Sequence, residues 1–305
     1  MGFAQVHQAL QILQRPIGIA NTWYVDGTNG NDANSGIDPG AAVKTLGQAF
    51  TLASAVNGDT IVILPGYTQT LSDNTFTIAK SGLKIVGLGR GTLRPTFTLD
   101  TGTTSTINVT AASISIENCL FVADYAAIVT VFTLTNAPDF QLKNCQFNDT
   151  SSILNALAIV TTDATSHHAD GLMIDSCVWL SLTASAAISL VKAAGTNDRF
   201  SITNNYVSAA TTSGAAIIPI SAGKVLTNLK LLNNEFLLTG AAGTSTGYVI
   251  TTNGSTNSGL IDGNQFRNLA TSPLLVTASS GFSYGINYHA DAADASGYIL
   301  PAQDS

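Results

Sequence analysis

Ile114-Ser-Ile-Glu-Asn-Cys-Leu-Phe121 is one copy of an eight-residue pattern that decides the fold. Its order is apolar, any, apolar, any, small polar, Cys or Asn, any, apolar. The pattern returns as Phe140-Gln-Leu-Lys-Asn-Cys-Gln-Phe147, Leu172-Met-Ile-Asp-Ser-Cys-Val-Trp179 and Phe200-Ser-Ile-Thr-Asn-Asn-Tyr-Val207. Leu229-Lys-Leu-Leu-Asn-Asn-Glu-Phe236 and Gly259-Leu-Ile-Asp-Gly-Asn-Gln-Phe266 follow, and Leu83-Lys-Ile-Val-Gly87 is a degenerate first copy. Successive copies begin 31, 26, 32, 28, 29 and 30 residues apart.

Positions 1 and 3 alternate with polar neighbours, so they face one core. Position 5 is Gly87, Asn118, Asn144, Ser176, Asn204, Asn233 and Gly263. Gly and Asn tolerate the left-handed backbone region, which predicts a bend there. After the bend, positions 6 and 8 point inward again. Position 6 is Cys119, Cys145, Cys177, Asn205, Asn234 and Asn264, which predicts one vertical file of stacked side chains. A second strand set is read at 128–134, 157–161, 187–191, 216–220, 248–252 and 274–277. A period near 30 with several short strands reads as an all-β parallel solenoid. Leucine-rich repeats are shorter and propeller blades longer.

Composition agrees. Of 305 residues, 45% are hydrophobic and only 10% charged, against about 25% charged in ordinary soluble domains. There are 38 Thr and 27 Gly but 2 Glu, which excludes a mostly helical fold. The apolar content excludes disorder. No apolar run reaches the length of a membrane span. The 12 Lys and Arg are scattered, so no basic stripe suits a nucleic acid. The opening residues lack the pattern of a signal peptide, which points to synthesis and folding in the cytosol.

Residues 44–57 carry Leu46, Ala49, Phe50, Ala53 and Val56 at helical spacing and read as a plug for the N-terminal end of the solenoid. Around it stand Trp23-Tyr-Val-Asp-Gly-Thr-Asn-Gly-Asn-Asp-Ala-Asn-Ser-Gly36, Lys44-Thr45-Leu46, Gly58-Asp59-Thr60-Ile61 and Pro65-Gly66-Tyr67. With these elements the chain resembles the right-handed parallel β-helix proteins of the pectin-lyase-like superfamily, over about residues 23–280. That group includes lyases and phage tailspike or virion proteins. The resemblance implies the fold and leaves activity open. The domain reading is an N-terminal arm at 1–22, a cap at 23–57, the β-helix at 58–280 and a closing or oligomerisation tail at 281–305. In the arm, Phe3, Val6, Leu10 and Leu13 form a helical stripe ended by Pro16 that must dock on its own coil or on another chain.

Two stretches look like sites. Asp163, His167, His168 and Asp170, with Asp175 nearby, suit a metal or acid–base work, or else a polar loop. Asp26, Asn29, Asn31, Asp32 and Asn34 offer oxygen ligands for calcium, although such residues also shape turns. The cysteines read as small buried core residues, and no cofactor is required. The motifs of the superfamily's polygalacturonase-like hydrolases are missing. No facing carboxylate pair stands out for glycoside hydrolysis. The resulting expectation is a structural or attachment protein of a phage virion, such as a spike, fibre or capsid-decoration protein. By resemblance it would be a homotrimer that contacts other virion proteins and a host surface glycan. The rival reading is a polysaccharide lyase or hydrolase, or a glycan-binding module without turnover.

Overall fold

The computed structural model describes residues 20–55, 57–71, 76–182, 188–210, 216–239, 248–251, 256–268, 276–277 and 281–290. Phe3, Val6, Leu10, Leu13 and Val56 lie outside them. The described chain winds as a parallel β-solenoid with three faces. Sheet A has ten strands: Thr22–Val25, Thr60–Ile63, Lys84–Gly87, Ser115–Glu117, Gln141–Lys143, Met173–Asp175, Ser201–Thr203, Leu229–Leu232, Gly259–Asp262 and Phe282–Tyr284. Sheet B has nine: Thr68–Leu71, Thr96–Leu99, Leu120–Ala123, Gln146–Asp149, Val178–Ser181, Tyr206–Ala210, Glu235–Thr239, Gln265–Asn268 and Tyr288–Ala290. Sheet C holds Phe76–Ile78, Ile107–Val109, Phe132–Leu134, Ala158–Thr162 and Ser189–Lys192. A bridge from Ala193 to Ile220 links it to a further sheet of Ala216–Pro219, Tyr248–Thr251 and Val276–Thr277.

The bend between sheets A and B is a single left-handed residue. Asn118, Asn144, Ser176, Asn204 and Asn233 have φ of 56, 52, 56, 58 and 56°, and Gly263 has 69°. Gly87 departs from this reading. It ends its strand without a positive φ, and the left-handed residue comes later, at Gly89 with φ 103°. What Gly87 supplies is room, because a Cβ there would lie 2.4 Å from the Asn118 carbonyl oxygen. A second left-handed column precedes sheet A: Gly82, Ser113, Asp139, Gly171, Arg199 and Asn228. These two columns turn each coil at fixed corners.

Between them the core is layered by file. Position 8 stacks rings: Phe97 on Phe121 and Phe121 on Phe147, each with centroids 5.4 Å apart, and Phe236 on Phe266 at 5.3 Å. Position 6 forms the polar file described below. The file runs further than the six sequence copies. Phe282–Tyr284 pairs with Gly259–Asp262 and Tyr288–Ala290 with Gln265–Asn268, so residues 282–289 form another copy, with Asn287 at position 6. The tail therefore continues the repeat before leaving the described residues.

The N-terminal helix, α1 (Leu46–Leu52), is shorter than its apolar stripe. Thr45 caps it by accepting the Gln48 N–H at 3.1 Å, and Leu46 and Ala49 are buried. Fully buried Asp59 staples this end together. It accepts the Asn21 N–H at 2.7 Å, the Trp23 Nε1–H at 2.9 Å and the Ser54 N–H at 2.8 Å. Burial pushes its carboxyl pKa upward, but these three donors and the Lys80 charge outweigh it and hold Asp59 below its ordinary value.

Candidate functional site

The loop from Asp163 to Gly171 joins the sheet C strand Ala158–Thr162 to the sheet A strand Met173–Asp175. Its backbone is stitched to both neighbouring coils. Ala137 N–H donates to the His168 carbonyl at 2.6 Å and Asp139 N–H to the Asp170 carbonyl at 2.7 Å. On the other side, His167 N–H reaches the Thr196 carbonyl and Gly171 N–H the Asp198 carbonyl, both at 2.8 Å. The side chains form two separate pairs rather than one cluster. His168 Nδ1 lies 2.7 Å from Asp163 Oδ2, and His167 Nδ1 lies 2.9 Å from Asp170 Oδ2. The other oxygens are also engaged: Asp163 Oδ1 accepts the Thr165 N–H, and Asp170 Oδ1 accepts the Asp198 N–H of the next coil.

Asp175 stands apart, on the outer face of sheet A. It accepts Thr203 Oγ1–H at 2.6 Å, Asn204 Nδ2–H at 2.9 Å and Ser176 Oγ–H at 3.2 Å. Burial raises its carboxyl pKa, and these donors together bring it below its ordinary value. Asp198 repeats the device one corner away, accepting Thr227 Oγ1–H at 2.6 Å and Asn228 Nδ2–H at 2.7 Å.

In the N-terminal segment, Asp26 accepts the backbone N–H groups of Thr28 and Asn29, Asn31 that of Ala33, and Asp32 those of Lys44 and Thr45. Asn34 donates to the Ala42 carbonyl. These side chains build turns and hold the start of α1 against the first coil. Among the described residues, no three His, Cys, Asp or Glu side chains gather closely enough to hold a metal ion.

The position 6 file is structural. Asn205, Asn234 and Asn264 donate through Nδ2 to the Oδ1 of Asn234, Asn264 and Asn287 in turn, each at 2.9 Å. Each Oδ1 also accepts the backbone N–H of the position 6 residue in the preceding coil, from Cys177 to Asn264. The second Nδ2 proton goes to the position 3 carbonyl of that coil: Ile174, Ile202, Leu231 and Ile261. Cys145 and Cys177 follow the same geometry with sulfur, reaching the Ile116 and Leu142 carbonyls at 3.6 Å. All three cysteines are buried, and burial pushes the Cys119 thiol pKa well up.

A different surface, unmarked by any motif, has the shape of a site. Register places Thr77, Asn108, Thr133, Thr161 and Lys192 in one outward row across sheet C. A cleft of about 170 Å³ opens beside it, lined by Thr103, Thr104, Ser105, Thr106, Thr130 and Thr133, with Val129. Thr106 and Thr133 share a hydroxyl–hydroxyl bond of 3.0 Å, while Thr161 Oγ1 is buried and has no partner. Half-buried Lys192 ends the row, its amine pKa lowered by desolvation. Sequence reading missed this row because each short sheet C strand contributes a single residue to it. Only the register between coils aligns the hydroxyls.

No protein-family model matches the chain, and no curated protein matches it. Solved structures do. A GH136 lacto-N-biosidase from Eubacterium ramulus superposes over 94% of this chain and 58% of its own, with TM-score 0.54 and 12% identity. The fold is a parallel β-helix. A rhamnogalacturonan lyase aligns over 92% of the β-helix chain and 90% of its own, with TM-score 0.43 and 12% identity. The tailspike protein of E. coli bacteriophage HK620 aligns over 95% and 58%, with TM-score 0.46 and 11% identity. This chain thus spans little more than half the length of the biosidase and tailspike chains. At such identities the likeness is one of fold. Among the described residues of the β-helix, no helix is long and apolar enough to cross a membrane.

Proposed function

We propose that this β-helix is a structural or attachment component of a phage virion, a stiff rod present in several copies, with its arm (Phe3, Val6, Leu10, Leu13) as an anchor to other virion proteins. The observation that carries this reading is where the polar side chains go. Asp163, Asp170, Asp175 and Asp198 accept bonds that close a corner or tie one coil to the next, and the asparagine file does the same inside the rod. Groups held in this way stiffen a scaffold. A general acid or base needs instead to reach a substrate proton.

The hydroxyl row and cleft on sheet C support a second role, adhesion to a host surface glycan. Thr and Asn hydroxyls and amides offer both donors and acceptors to sugar hydroxyls. The reading takes this contact as binding without turnover.

Two measurements test it. Incubation with capsular or cell-surface polysaccharides should release neither reducing ends nor unsaturated products. Sustained turnover abolished by Asp163→Asn or His168→Ala would replace the structural reading with the enzymatic one. Polar substitution of Phe3, Leu10 and Leu13 in the full chain should prevent incorporation into particles. Unimpaired incorporation would remove the anchor from the proposal.

A further inference from the structure

The cleft beside sheet C has a polar floor and two unlike walls. Its floor is Ser105, Thr106 and Thr130, all buried. Each floor hydroxyl is already held in direction. Thr106 Oγ1–H donates to the Val131 carbonyl at 3.2 Å, and Thr130 Oγ1–H donates to the Phe132 carbonyl at 3.0 Å. Ser105 Oγ lies 3.1 Å from Thr101 Oγ1. A hydroxyl whose proton is committed keeps lone pairs for an incoming O–H. The walls are exposed, with Thr103 and Thr104 on one side and Val129 on the other. The Val129 N–H donates to the Thr103 carbonyl at 2.9 Å, which ties the walls together.

Size, wall chemistry and charge narrow what fits. The volume of about 170 Å³ is below the roughly 300–1,000 Å³ of a pocket that encloses a whole small ligand, so the cleft takes one residue of a chain. Asn108, Thr133 and Thr161, in register beside it, offer an amide and hydroxyls to the residues that follow. The second wall is apolar. Val129 is 47% exposed, and its corner loop also exposes Tyr125, beside Ile153 of the next coil through the bridge from Ala126 to Leu154. A ring bearing only hydroxyls leaves this wall wet, whereas a methyl group covers it. Among the described residues, no charged side chain lines the cleft. Asp100 and Asp124 stand at the same corner, directly after the paired residues Leu99 and Ala123. Lys192 is two strands from Thr133, about 10 Å away. In a chain of net charge −7, an anionic sugar would meet carboxylates here before it met a cation.

We infer that this cleft binds a neutral sugar residue that carries a methyl group, as deoxy and N-acetyl sugars do. The ring hydroxyls lie on the threonine floor and the methyl group on Val129. The inference rests on the reading of sheet C as a glycan-adhesion surface, and adds which sugars that surface holds.

Calorimetric titration of the full chain tests this with triacetylchitotriose, a rhamnose trisaccharide, maltotriose and trigalacturonate. The two methyl-bearing probes should bind about tenfold more tightly than maltotriose, and trigalacturonate no better than maltotriose. Val129→Ser should bring the methyl-bearing probes down to the level of maltotriose, with unchanged circular dichroism and melting temperature. If that variant misfolds, Thr104→Arg on the opposite wall replaces it and should block every probe. A preference for maltotriose or trigalacturonate overturns the inference, as does a methyl preference indifferent to both walls. Cell-surface polysaccharide is titrated in parallel. Adhesion to it without the methyl preference defeats the inference and leaves glycan adhesion standing. Silence toward the polysaccharide and all four probes defeats both.

Discussion

A single buried amide shows how the rod is held. Asn234 accepts two bonds from Asn205 and donates to both Asn264 and the Ile202 carbonyl. Asn234→Leu should orphan buried partners at about 1–3 kcal/mol each, lowering the urea midpoint with an unchanged slope. Asn234→Cys should cost less, because sulfur already fills the same position in Cys145 and Cys177. Asp59 sets a pH limit. Its carboxyl is held below its ordinary value in the fold, so its stabilisation is present above the unfolded pKa and is lost as pH falls through the folded one. The wild type should thus lose stability below about pH 4, and Asp59→Asn should flatten that limb of the curve. The buried cysteines should resist a thiol reagent in the native chain, and all three should react after denaturation.

At the scale of the element, the bend residue and the stacked ring on the strand after it both hold the coil. Asn144 sits at φ 52°, and Asn144→Val should cost about 1–3 kcal/mol by strain, while Asn144→Gly should be tolerated. Phe147, stacked on Phe121, should cost about 3–5 kcal/mol as Ala in chemical denaturation. These bends and stacks were legible in the sequence because each leaves a residue-type signature at a fixed place in the repeat. Other elements left none. The copy at 282–289 follows its predecessor by only 23 residues and carries Tyr284 and Ile286 at positions 3 and 5. Strands Thr22–Val25 and Thr60–Ile63 belong to sheet A but lack the Asn or Cys that marks the later copies. The column before sheet A mixes Gly, Ser, Asp, Arg and Asn, so its shared left-handed turn has no common letter. The two His–Asp pairs were visible as residues. Their division into two separate pairs depends on how the loop's backbone is stitched to the coils on either side.

For the whole molecule, the position 6 file makes the coils that carry Asn205, Asn234 and Asn264 interchangeable units. Each rung presents the same donor upward and the same acceptor downward, so a rung is recognised by its neighbours only through that file and the stacked rings. Excising Leu172–Arg199 would bring Asn205 directly beneath Cys145, as it now lies beneath Cys177, and a shorter molecule should still fold. Removing half that number of residues would put the wrong sheet at every later corner and should abolish folding. Molecular length in such a protein changes only by whole increments, each about 4.8 Å, which leaves duplication or loss of a complete repeat as the simplest way for its lineage to adjust reach.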